Sequence, residues 1–364
     1  MSKPRLPSQS RHTLLWTVAV YCALQGAALG VALSVPALRE PIYGRKLTSL
    51  RARLDRPEER PLKVVAFGSS RTLNSLRGDL IEPAISERIG RPAVVFNMGV
   101  PGAGPVINLL HLRRLIADGI EPDVAVFEVL PPFLVEDGLE RELKEDAWPT
   151  PNFRLGELAE VRRHAGNSRS VSAADWWLAR SNPICRYRFA FLSRVLPMIL
   201  ARRSVENCFD GIDAAGWFAV PIAADAGARP RAIAHMRESY EPWLKNARMS
   251  SASLQPIGEA LNLCRQRRIP AVLVLYPEGP IFRSLYEPGA REQVRSMLDA
   301  VSRTWDVPVI DASGWFPDEA AFYDSHHQTA ETATAFTHRL GKELLALPPF
   351  APSQKASGPT GGTR

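Results

Sequence analysis

The sequence is poor in cysteine and has no strong charge bias. It has four cysteines among 364 residues, and no two of them have C-x-x-C spacing. This excludes a disulfide-stapled scaffold and argues against a zinc ribbon or a thioredoxin-type site. Glycine (24 residues) and proline (31 residues) fall short of a low-complexity composition. The net charge of +7 is modest for this length and no nucleic-acid motif accompanies it, so we expect no nucleic-acid partner.

One long uncharged run lies near the N-terminus, and no second run of that length follows. Residues Thr13–Leu38 carry no charged side chain, and about twenty helical residues are enough to cross a bilayer core. Because residues 1–12 are basic, we expect them in the cytoplasm. We therefore predict a single membrane anchor at 13–38, with the rest of the chain on the extracytoplasmic, periplasmic side. A cleaved signal peptide is the alternative, since small residues at 26–30 would allow cleavage.

Five short apolar runs have the character of buried parallel strands, and helical stretches separate most of them. The strands are expected at Lys63–Phe67, Ala93–Met98, Asp123–Val129, Ala271–Leu275 and Val307–Ile310, and the helices at Leu76–Ile89, Pro105–Asp118, Leu254–Arg267, Ala290–Thr304 and Thr329–Leu347. This alternation predicts an α/β fold with a doubly wound parallel sheet. Such sheets bind ligands at the carboxyl ends of their strands.

The rest of the chain is predicted to have three further parts. Residues 39–61 are basic and their composition favours a helix, so we predict a stalk there. The α/β domain follows at 62–347. A cap of about 131–250 is inserted between the third and fourth strands, and it contains five of the eight tryptophans. Packing inside the cap is the plain explanation for any one of these tryptophans. The tail at 348–364 is rich in Pro, Ser, Gly and Thr and is expected to be disordered.

Cys185 and Cys208 are a candidate disulfide. Both lie in the insert, 23 positions apart, in a compartment that we expect to be oxidising. Closing a loop of this size contributes about 3 kcal/mol in the entropic model. Buried free thiols are the alternative.

Two polar motifs follow the first and second predicted strands. The first strand ends in Gly68-Ser69-Ser70-Arg71. A serine that begins the following helix would carry its hydroxyl at the carboxyl edge of the sheet, with its own backbone N–H free to stabilise an oxyanion. A helix N-cap serine is the structural alternative. The glycine-rich loop Asn97–Gly104 follows the second strand, and its backbone amides can approach a ligand closely.

A third polar motif follows the last strand. Asp324 and His327 are three residues apart, a spacing that places both side chains on one face of a turn. A carboxylate beside an imidazole orients it, although a surface Asp/His pair is the plain alternative. A metal site at His326 and His327 is disfavoured because adjacent side chains point apart, so no metal is expected. Together the three motifs would place a nucleophile, oxyanion donors and a base at one sheet edge.

These motifs resemble the sequence blocks of the SGNH (GDSL-like) hydrolase superfamily. The matching residues are Gly68-Ser69-Ser70 for the block G-D-S, Asn97 and Gly102 for N-x-x-x-x-G, and Asp324 and His327 for D-x-x-H. The resemblance covers roughly 63–130 and 254–347 and omits the insert. It implies a flavodoxin-like sheet with strand order 2-1-3-4-5 and a reaction that needs no cofactor.

The resemblance also implies a role for each matching residue. Ser70 would be the nucleophile, His327 the base, and Asp324 the residue that orients the base. The backbone N–H groups of Ser70 and Gly102 would hold the oxyanion. Candidate substrate contacts are Asn97, Arg71 and, in the insert, Trp217.

The sequence departs from the family pattern in two places. Ser69 stands where the first block usually has Asp, and the third block, G-x-N-D, is absent, since the third strand runs into Glu128-Val129-Leu130-Pro131-Pro132-Phe133. The side-chain amide that normally completes the oxyanion hole is therefore missing. Loss of one such donor typically lowers the rate about 100- to 1000-fold. Either another group replaces it, or the activity is low.

An anchored, extracytoplasmic protein of this kind looks similar to cell-envelope members of the superfamily that acylate or deacylate polysaccharides. The leading hypothesis is an O-acyltransferase or esterase with a glycan or acyl-ester substrate, and the resemblance allows a membrane-bound acyl-donor protein as a partner. The alternative is a catalytically inactive binding or assembly protein of an envelope export complex, which the missing Asn supports. A lipolytic esterase near the membrane is a third reading and fits the anchor.

Overall fold

The computed structural model describes residues 8–55, 60–143, 148, 150–164, 171–200, 211–220, 227–245 and 247–351. In these residues the strands are β1 (Leu62–Phe67), β2 (Ala93–Asn97), β3 (Val124–Val129), β4 (Ala271–Leu275) and β5 (Val309–Asp311). All four neighbouring pairs are parallel, and the sheet has the order β2-β1-β3-β4-β5. The predicted fold class and strand order are therefore confirmed.

Sixteen α-helices occur in the described part of the chain. They are α1 (Ser8–Ser34), α2 (Pro36–Arg39), α3 (Pro41–Leu54), α4 (Ser70–Ser75), α5 (Glu82–Ile89), α6 (Pro105–Ala117), α7 (Gly138–Glu142), α8 (Leu155–His164), α9 (Ala173–Ser181), α10 (Pro183–Arg186), α11 (Arg188–Val195), α12 (Ala228–Leu244), α13 (Gln255–Arg267), α14 (Pro280–Arg283), α15 (Ala290–Trp305) and α16 (Ala330–Leu345). The helix predicted at Leu76–Ile89 is wrong in its first half: a helix already forms at α4, a 3₁₀ turn follows at Gly78–Leu80, and α5 begins only at Glu82.

The sheet is covered on both faces because successive side chains of a strand point to opposite sides. One face packs against α3, α6, α13 and α15, with Phe67 and Phe127 stacked at its centre. The other face packs against α5 and α16, where Phe336 and Leu340 lie on the β-branched side chains of the central strands. Helices on both faces leave the carboxyl edge of the sheet as the open end where loops meet.

The segment expected to be a stalk is instead part of the core. Tyr43 and Leu47 of α3 are fully buried against the sheet. Lys46 is also fully buried, and its Nζ donates hydrogen bonds of 2.8 Å to the backbone oxygens of Asn97 and Gly216. Burial lowers the pKa of Lys46. The chain therefore joins the α/β domain at α3, about twenty residues earlier than the sequence suggested.

Helix α1 is long and apolar enough to cross a membrane over Ser10–Ser34. It ends four residues before the predicted limit because Pro36 disfavours helical conformation at Val35. At the other end of the chain, the predicted tail begins with an ordered 3₁₀ turn, Pro348–Phe350, whose Phe350 is fully buried. Residues 352–364 of that tail lie outside the described residues.

The insert packs onto the α/β domain in separate pieces. Trp148 and Trp176 are buried in a cluster with side chains of α6, whereas α12 packs against the segment that follows β4. Trp177, by contrast, is 61% exposed. Cys185 is exposed and Cys208 lies outside the described residues, so the disulfide stays a prediction.

Candidate active site

Ser70 is the first residue of α4 and follows β1 directly after a two-residue turn. The N-cap of this helix is Ser69, whose Oγ accepts a hydrogen bond of 3.0 Å from the backbone N–H of Arg71. The N-cap explanation for Ser70 is therefore wrong. At the first helical position its backbone N–H has no acceptor within the helix, and its side chain is half-buried at the carboxyl edge of the sheet.

A buried carboxylate from the sheet holds the turn that carries Ser70. Glu128 of β3 accepts hydrogen bonds from the Ser69 backbone N–H (2.6 Å), the Ser69 hydroxyl (2.9 Å) and the Thr72 hydroxyl (2.7 Å). A Cβ atom at Gly68 would overlap Thr72 and Glu128, so only glycine allows this approach. The sequence contained a signal for this role that went unused: Glu128 is the one charged residue in an otherwise apolar buried strand, and such a charge needs partners.

The second half of the site lies in the loop between β5 and α16. Asp324 Oδ2 lies 2.8 Å from His327 Nδ1, and His327 Nε2 lies 2.7 Å from Ser70 Oγ. Asp324 Oδ1 also accepts the backbone N–H of His327 at 2.8 Å. The structure thus brings the three residues from opposite ends of the domain into one hydrogen-bonded chain.

Burial and the two neighbouring imidazoles determine the ionisation of Asp324 and His326. Burial alone would raise the pKa of Asp324, but His327 and His326 beside it hold the pKa of that carboxyl well below its usual range. Burial, with His327 next to it, lowers the pKa of His326 to about 4. At neutral pH Asp324 is therefore ionised and His326 is neutral.

Ser325 gives the loop its shape. Its backbone is left-handed, with φ of 72°, a conformation that costs a non-glycine residue roughly 1 kcal/mol or more. Contacts with the segment after β4 hold it there: its carbonyl accepts the Gly279 N–H at 2.7 Å, and its hydroxyl accepts the Phe282 N–H at 2.8 Å. This turn folds the Asp324 carboxylate back towards the backbone N–H groups that follow it.

Arg71 does not lie where a substrate contact was predicted. It is 2% exposed, and its Nη1 pairs with Glu278 Oε1 at 2.9 Å. The Tyr286 hydroxyl donates to the same oxygen at 2.7 Å, and the guanidinium lies 4.5 Å from the centre of the Phe282 ring. The substrate-contact prediction for Arg71 is wrong, because its charge is used inside the protein to fasten α4 to the segment after β4.

Asn97 is likewise a structural residue. It is fully buried, its Nδ2 donates to the carbonyls of Thr72 (2.7 Å) and Leu76 (2.9 Å), and its Oδ1 accepts the Gly99 N–H at 2.9 Å. All these partners are backbone groups, so Asn97 ties α4 and its C-cap to the loop after β2. Its predicted contact with substrate is wrong for this reason.

Trp217 and Gly102 lie at the same edge of the sheet. Trp217 is half-buried on α4: its Nε1 donates to the Asn74 carbonyl at 2.8 Å, and the Arg77 guanidinium lies 4.6 Å from its ring centre. One ring face is thus occupied, and stacking of a sugar on the other stays a prediction. Gly102 is left-handed (φ 74°), and the Trp148 indole donates to its carbonyl at 3.2 Å. The role of its N–H in an oxyanion hole also stays a prediction.

The position of the missing third block is apolar. Leu130, Pro131 and Phe133 follow β3 and are buried. Among the described residues, none of these three offers a side-chain donor to the site. Glu128 therefore supports the nucleophile turn and does not replace the absent amide.

Two groups of acidic and histidine side chains in the described ranges have potential ligand atoms within 4.8 Å of one another. They are Asp324, His326 and His327, and Glu160, His164 and Glu259. In the first group both ring nitrogens of His327 are already engaged. In the second, Arg113 pairs with both carboxylates and Arg163 pairs with Glu259. These contacts engage part of each group, whereas Glu160 Oε1 and both ring nitrogens of His164 have no hydrogen-bond partner in the described part of the chain.

Comparison with known proteins adds to this picture at the level of the fold. A protein-family model matches residues 233–347, about a third of the chain, a stretch that includes Asp324 and His327. A search of curated proteins finds no match. Similar solved structures include a GDSL-like lipase from Bacteroides thetaiotaomicron (12% identity, TM-score 0.35, 85% of this chain and 100% of that one). A carbohydrate acetylesterase family member from Sinorhizobium meliloti is another (12% identity, TM-score 0.31, 78% and 98%).

The strand order 2-1-3-4-5 that the resemblance to the SGNH hydrolases implies is present in the sheet. The identities and TM-scores of the solved structures are low. We therefore base the function on the geometry of this chain's own residues.

Proposed function

We propose that the chain is a serine-dependent acyl-ester enzyme whose nucleophile is Ser70. One observation carries the proposal: the hydrogen-bonded chain that runs from Ser70 Oγ through both ring nitrogens of His327 to Asp324. A nucleophile, a base within hydrogen-bond reach and a group that orients the base are the parts that this chemistry requires. Their place at the carboxyl edge of a parallel sheet is where such sheets bind ligands.

The geometry supports a two-step reaction. Ser70 Oγ attacks the acyl carbonyl carbon while His327 Nε2 takes the hydroxyl proton, and the ionised Asp324 stabilises the imidazolium. Collapse of the tetrahedral intermediate breaks the ester bond, and the leaving alkoxide takes the proton from Nε2. Water or a second alcohol then attacks the acyl carbon while His327 takes its proton, and the bond to Ser70 Oγ breaks as that oxygen regains a proton from Nε2. The product is a carboxylic acid in the first case and a new ester in the second.

Oxyanion stabilisation in this proposal depends on backbone groups. The N–H of Ser70 has no acceptor in its helix, and Gly102 lies in the neighbouring loop with a conformation that glycine tolerates. The apolar residues after β3 supply no third donor. We therefore expect turnover below that of an enzyme with a complete oxyanion hole, by up to about 100- to 1000-fold.

The substrate that we propose is an acyl ester on a cell-envelope polysaccharide, and the enzyme would act as an O-acyltransferase or an esterase. The support is the apolar helix α1, which would anchor the domain on the extracytoplasmic side, and the half-buried Trp217 beside α4, which is suited to a sugar ring. A membrane-bound acyl-donor protein would supply the acyl group to a transferase.

A catalytically inactive binding or assembly protein is the second candidate. The observation that favours it is the absence of a side-chain oxyanion donor after β3. A fluorophosphonate probe separates the two, because it forms a bond only with an activated serine. The full-length chain in detergent should be labelled, and its Ser70→Ala variant should not.

A wild-type protein that is folded by circular dichroism and yet unlabelled would overturn the enzyme proposal. Equal labelling of the Ser70→Ala variant would assign the reactivity to another residue. Hydrolysis of p-nitrophenyl acetate, measured with and without an acetyl-accepting glycan, would then distinguish transfer from hydrolysis: a transferase releases nitrophenol faster when the glycan is present.

A further inference from the structure

Exposed large apolar side chains of the described residues fall into two segments, with Leu155 as the exception. The first segment is α1 with the adjoining Val35. The second, here called the apolar segment, is Ala173–Ile199, which comprises α9, α10, α11 and the 3₁₀ turn Pro197–Ile199. Its exposed members are Trp177, Leu178, Ile184, Phe189, Val195, Leu196, Met198 and Ile199. Met198 is 85% exposed and Val195 is 74% exposed. Contact of so many adjacent apolar side chains with water is unfavourable, and such a surface indicates an interaction site.

The two segments are joined by a polar contact. Gln25, the one bulky polar residue of the uncharged run, is only 8% exposed. Its Nε2 donates to Asn182 Oδ1 at 3.2 Å, and its Oε1 accepts the backbone N–H of Ile184 at 3.1 Å. A glutamine amide inside a bilayer requires polar partners of this kind. The apolar segment is thus fixed alongside α1 at the depth of Gln25.

That depth lies inside the hydrocarbon layer if α1 spans the membrane, as proposed above. Arg11 is the last charged residue before the uncharged run, and a helix rises 1.5 Å per residue, so Gln25 lies about 21 Å further along α1. The hydrocarbon core is about 30 Å thick. With Arg11 at one boundary, Gln25 is about 9 Å short of the other boundary, and tilting of α1 would only increase that depth.

The charges of the apolar segment fit the headgroup region. The segment contains four arginines and one acidic residue, Asp175. Arg180 and Arg186 donate to the Phe153 carbonyl and to Asn152 Oδ1, whereas Arg188 and Arg194 are exposed. The Arg188 guanidinium lies 4.3 Å from the centre of the exposed Phe189 ring. Long arginine side chains beside aromatic rings are typical of the membrane interface, where the guanidinium reaches phosphate while the stem stays in apolar surroundings. A net positive segment is also attracted to anionic lipid.

We propose that the apolar segment is embedded in the membrane leaflet on the side of the α/β domain. Its exposed apolar side chains contact acyl chains, and its exposed arginines, Arg188 and Arg194, contact the phosphates of anionic phospholipid. The domain is then held against the bilayer by two elements, α1 and the apolar segment.

Labelling from within the bilayer tests this proposal. The full-length chain is reconstituted into vesicles of phosphatidylcholine and phosphatidylglycerol that contain a phospholipid with a carbene-generating group on its acyl chain. After illumination, adducts are mapped by mass spectrometry. We expect adducts on α1 and on 177–199, and none on α15, an amphipathic helix that covers the sheet.

The outcomes separate this proposal from the anchor on which it rests. Adducts on α1 without adducts on 177–199 would overturn the proposal and leave the anchor intact. No adducts on either, or a mature N-terminus beyond residue 30, would overturn both. Labelling of 177–199 in purified vesicles but not in native membranes would assign the surface to a protein partner and overturn the lipid assignment.

A matched pair of variants sharpens the test. The double variant Val195→Asp with Met198→Asp places charge where we expect acyl chains, whereas Leu155→Asp changes an exposed apolar residue outside the apolar segment. Thermal unfolding in detergent should be nearly unchanged in both, because all three side chains are exposed. Labelling of 177–199 should fall to the level of α15 in the double variant only. Equal labelling in all three proteins would contradict the proposal.

Discussion

The turn that carries Ser70 and the turn that carries His327 are each held by a buried carboxylate, but the two carboxylates come from very different places in the chain. Glu128 is 59 residues from the Ser69 backbone that it binds, whereas Asp324 is three residues from His327. The nucleophile's position therefore depends on assembly of the sheet. The contact between Asp324 and His327 is local, although the loop that carries it is held by Gly279 and Phe282 through Ser325. Damage to the first carboxylate should thus affect folding and activity together, and damage to the second mainly activity.

The largest expected effect comes from removing the atom at which the two turns meet. Ser70→Ala should abolish covalent labelling by a fluorophosphonate and reduce kcat on the order of 10⁶-fold. The other hydroxyls of the two turns, those of Ser69 and Ser325, donate to Glu128 and Glu319 and not to His327. His327→Ala should lower kcat by a similar factor. Ser284→Ala, at an exposed serine of the same domain, is the control. Residual labelling of the Ser70→Ala variant at a new site would contradict the assignment of Ser70 as the nucleophile at which the two turns meet.

Asp324→Asn tests the local turn. The asparagine amide donates where the carboxylate accepts, so it favours the wrong tautomer of His327, and we expect kcat to fall about 10³- to 10⁴-fold with the fold retained. The control is Asp318→Asn, an exposed N-cap residue of the same loop. A loss of less than tenfold in p-nitrophenyl acetate hydrolysis would mean that Asp324 does not orient the base.

The sequence predicts those parts of the site whose contacting residues are close together in the chain. Asp324 and His327 are recognisable because their contact is local, and Ser70 because a Gly-Ser-Ser turn directly follows a clear strand. The role of Glu128 exists only once β3 pairs with β1 in the observed register, Phe67 opposite Phe127. No pattern within either strand alone specifies that pairing.

The two misassigned residues show the same limit. Arg71 follows the nucleophile directly, yet its partner Glu278 lies 207 positions away. Asn97 binds the carbonyls of Thr72 and Leu76, which lie 25 and 21 positions away. The fold class needed no such information, because alternating apolar runs and helices determine it. A stalk was predicted in place of the buried α3 because α3 has few apolar residues, and its burial depends on Tyr43, Leu47 and the desolvated Lys46.

Glu128 tests the turn that depends on the sheet. Glu128→Ala leaves the Ser69 N–H and two hydroxyls without their acceptor, so the free energy of unfolding should fall by about 3 kcal/mol and kcat should fall with little change in KM. Glu128→Gln keeps an acceptor oxygen and should restore most of both quantities. Denaturant unfolding and steady-state kinetics measure them. If Glu128→Ala lowers stability but leaves kcat unchanged, Glu128 does not position Ser70.

The smallest effect at neutral pH concerns His326, which contacts Asp324 but not Ser70. It lies 3.1 Å from the carboxylate, packs against the Tyr240 and Phe282 rings, and has a folded-state pKa of about 4, compared with about 6.5 in an unfolded chain. Between these two values only the unfolded state takes up the proton. Stability from the neutral, buried ring is therefore complete above pH 6.5 and is lost as the pH falls towards 4, by about 3 kcal/mol.

His326→Asn removes this contribution, so the wild-type advantage in free energy of unfolding should shrink by that amount between pH 7.5 and pH 4. Denaturant unfolding at both values measures it, with His338→Asn, at an exposed histidine, as the control. Parallel pH profiles for the wild type and His326→Asn would show that His326 is not held neutral beside Asp324.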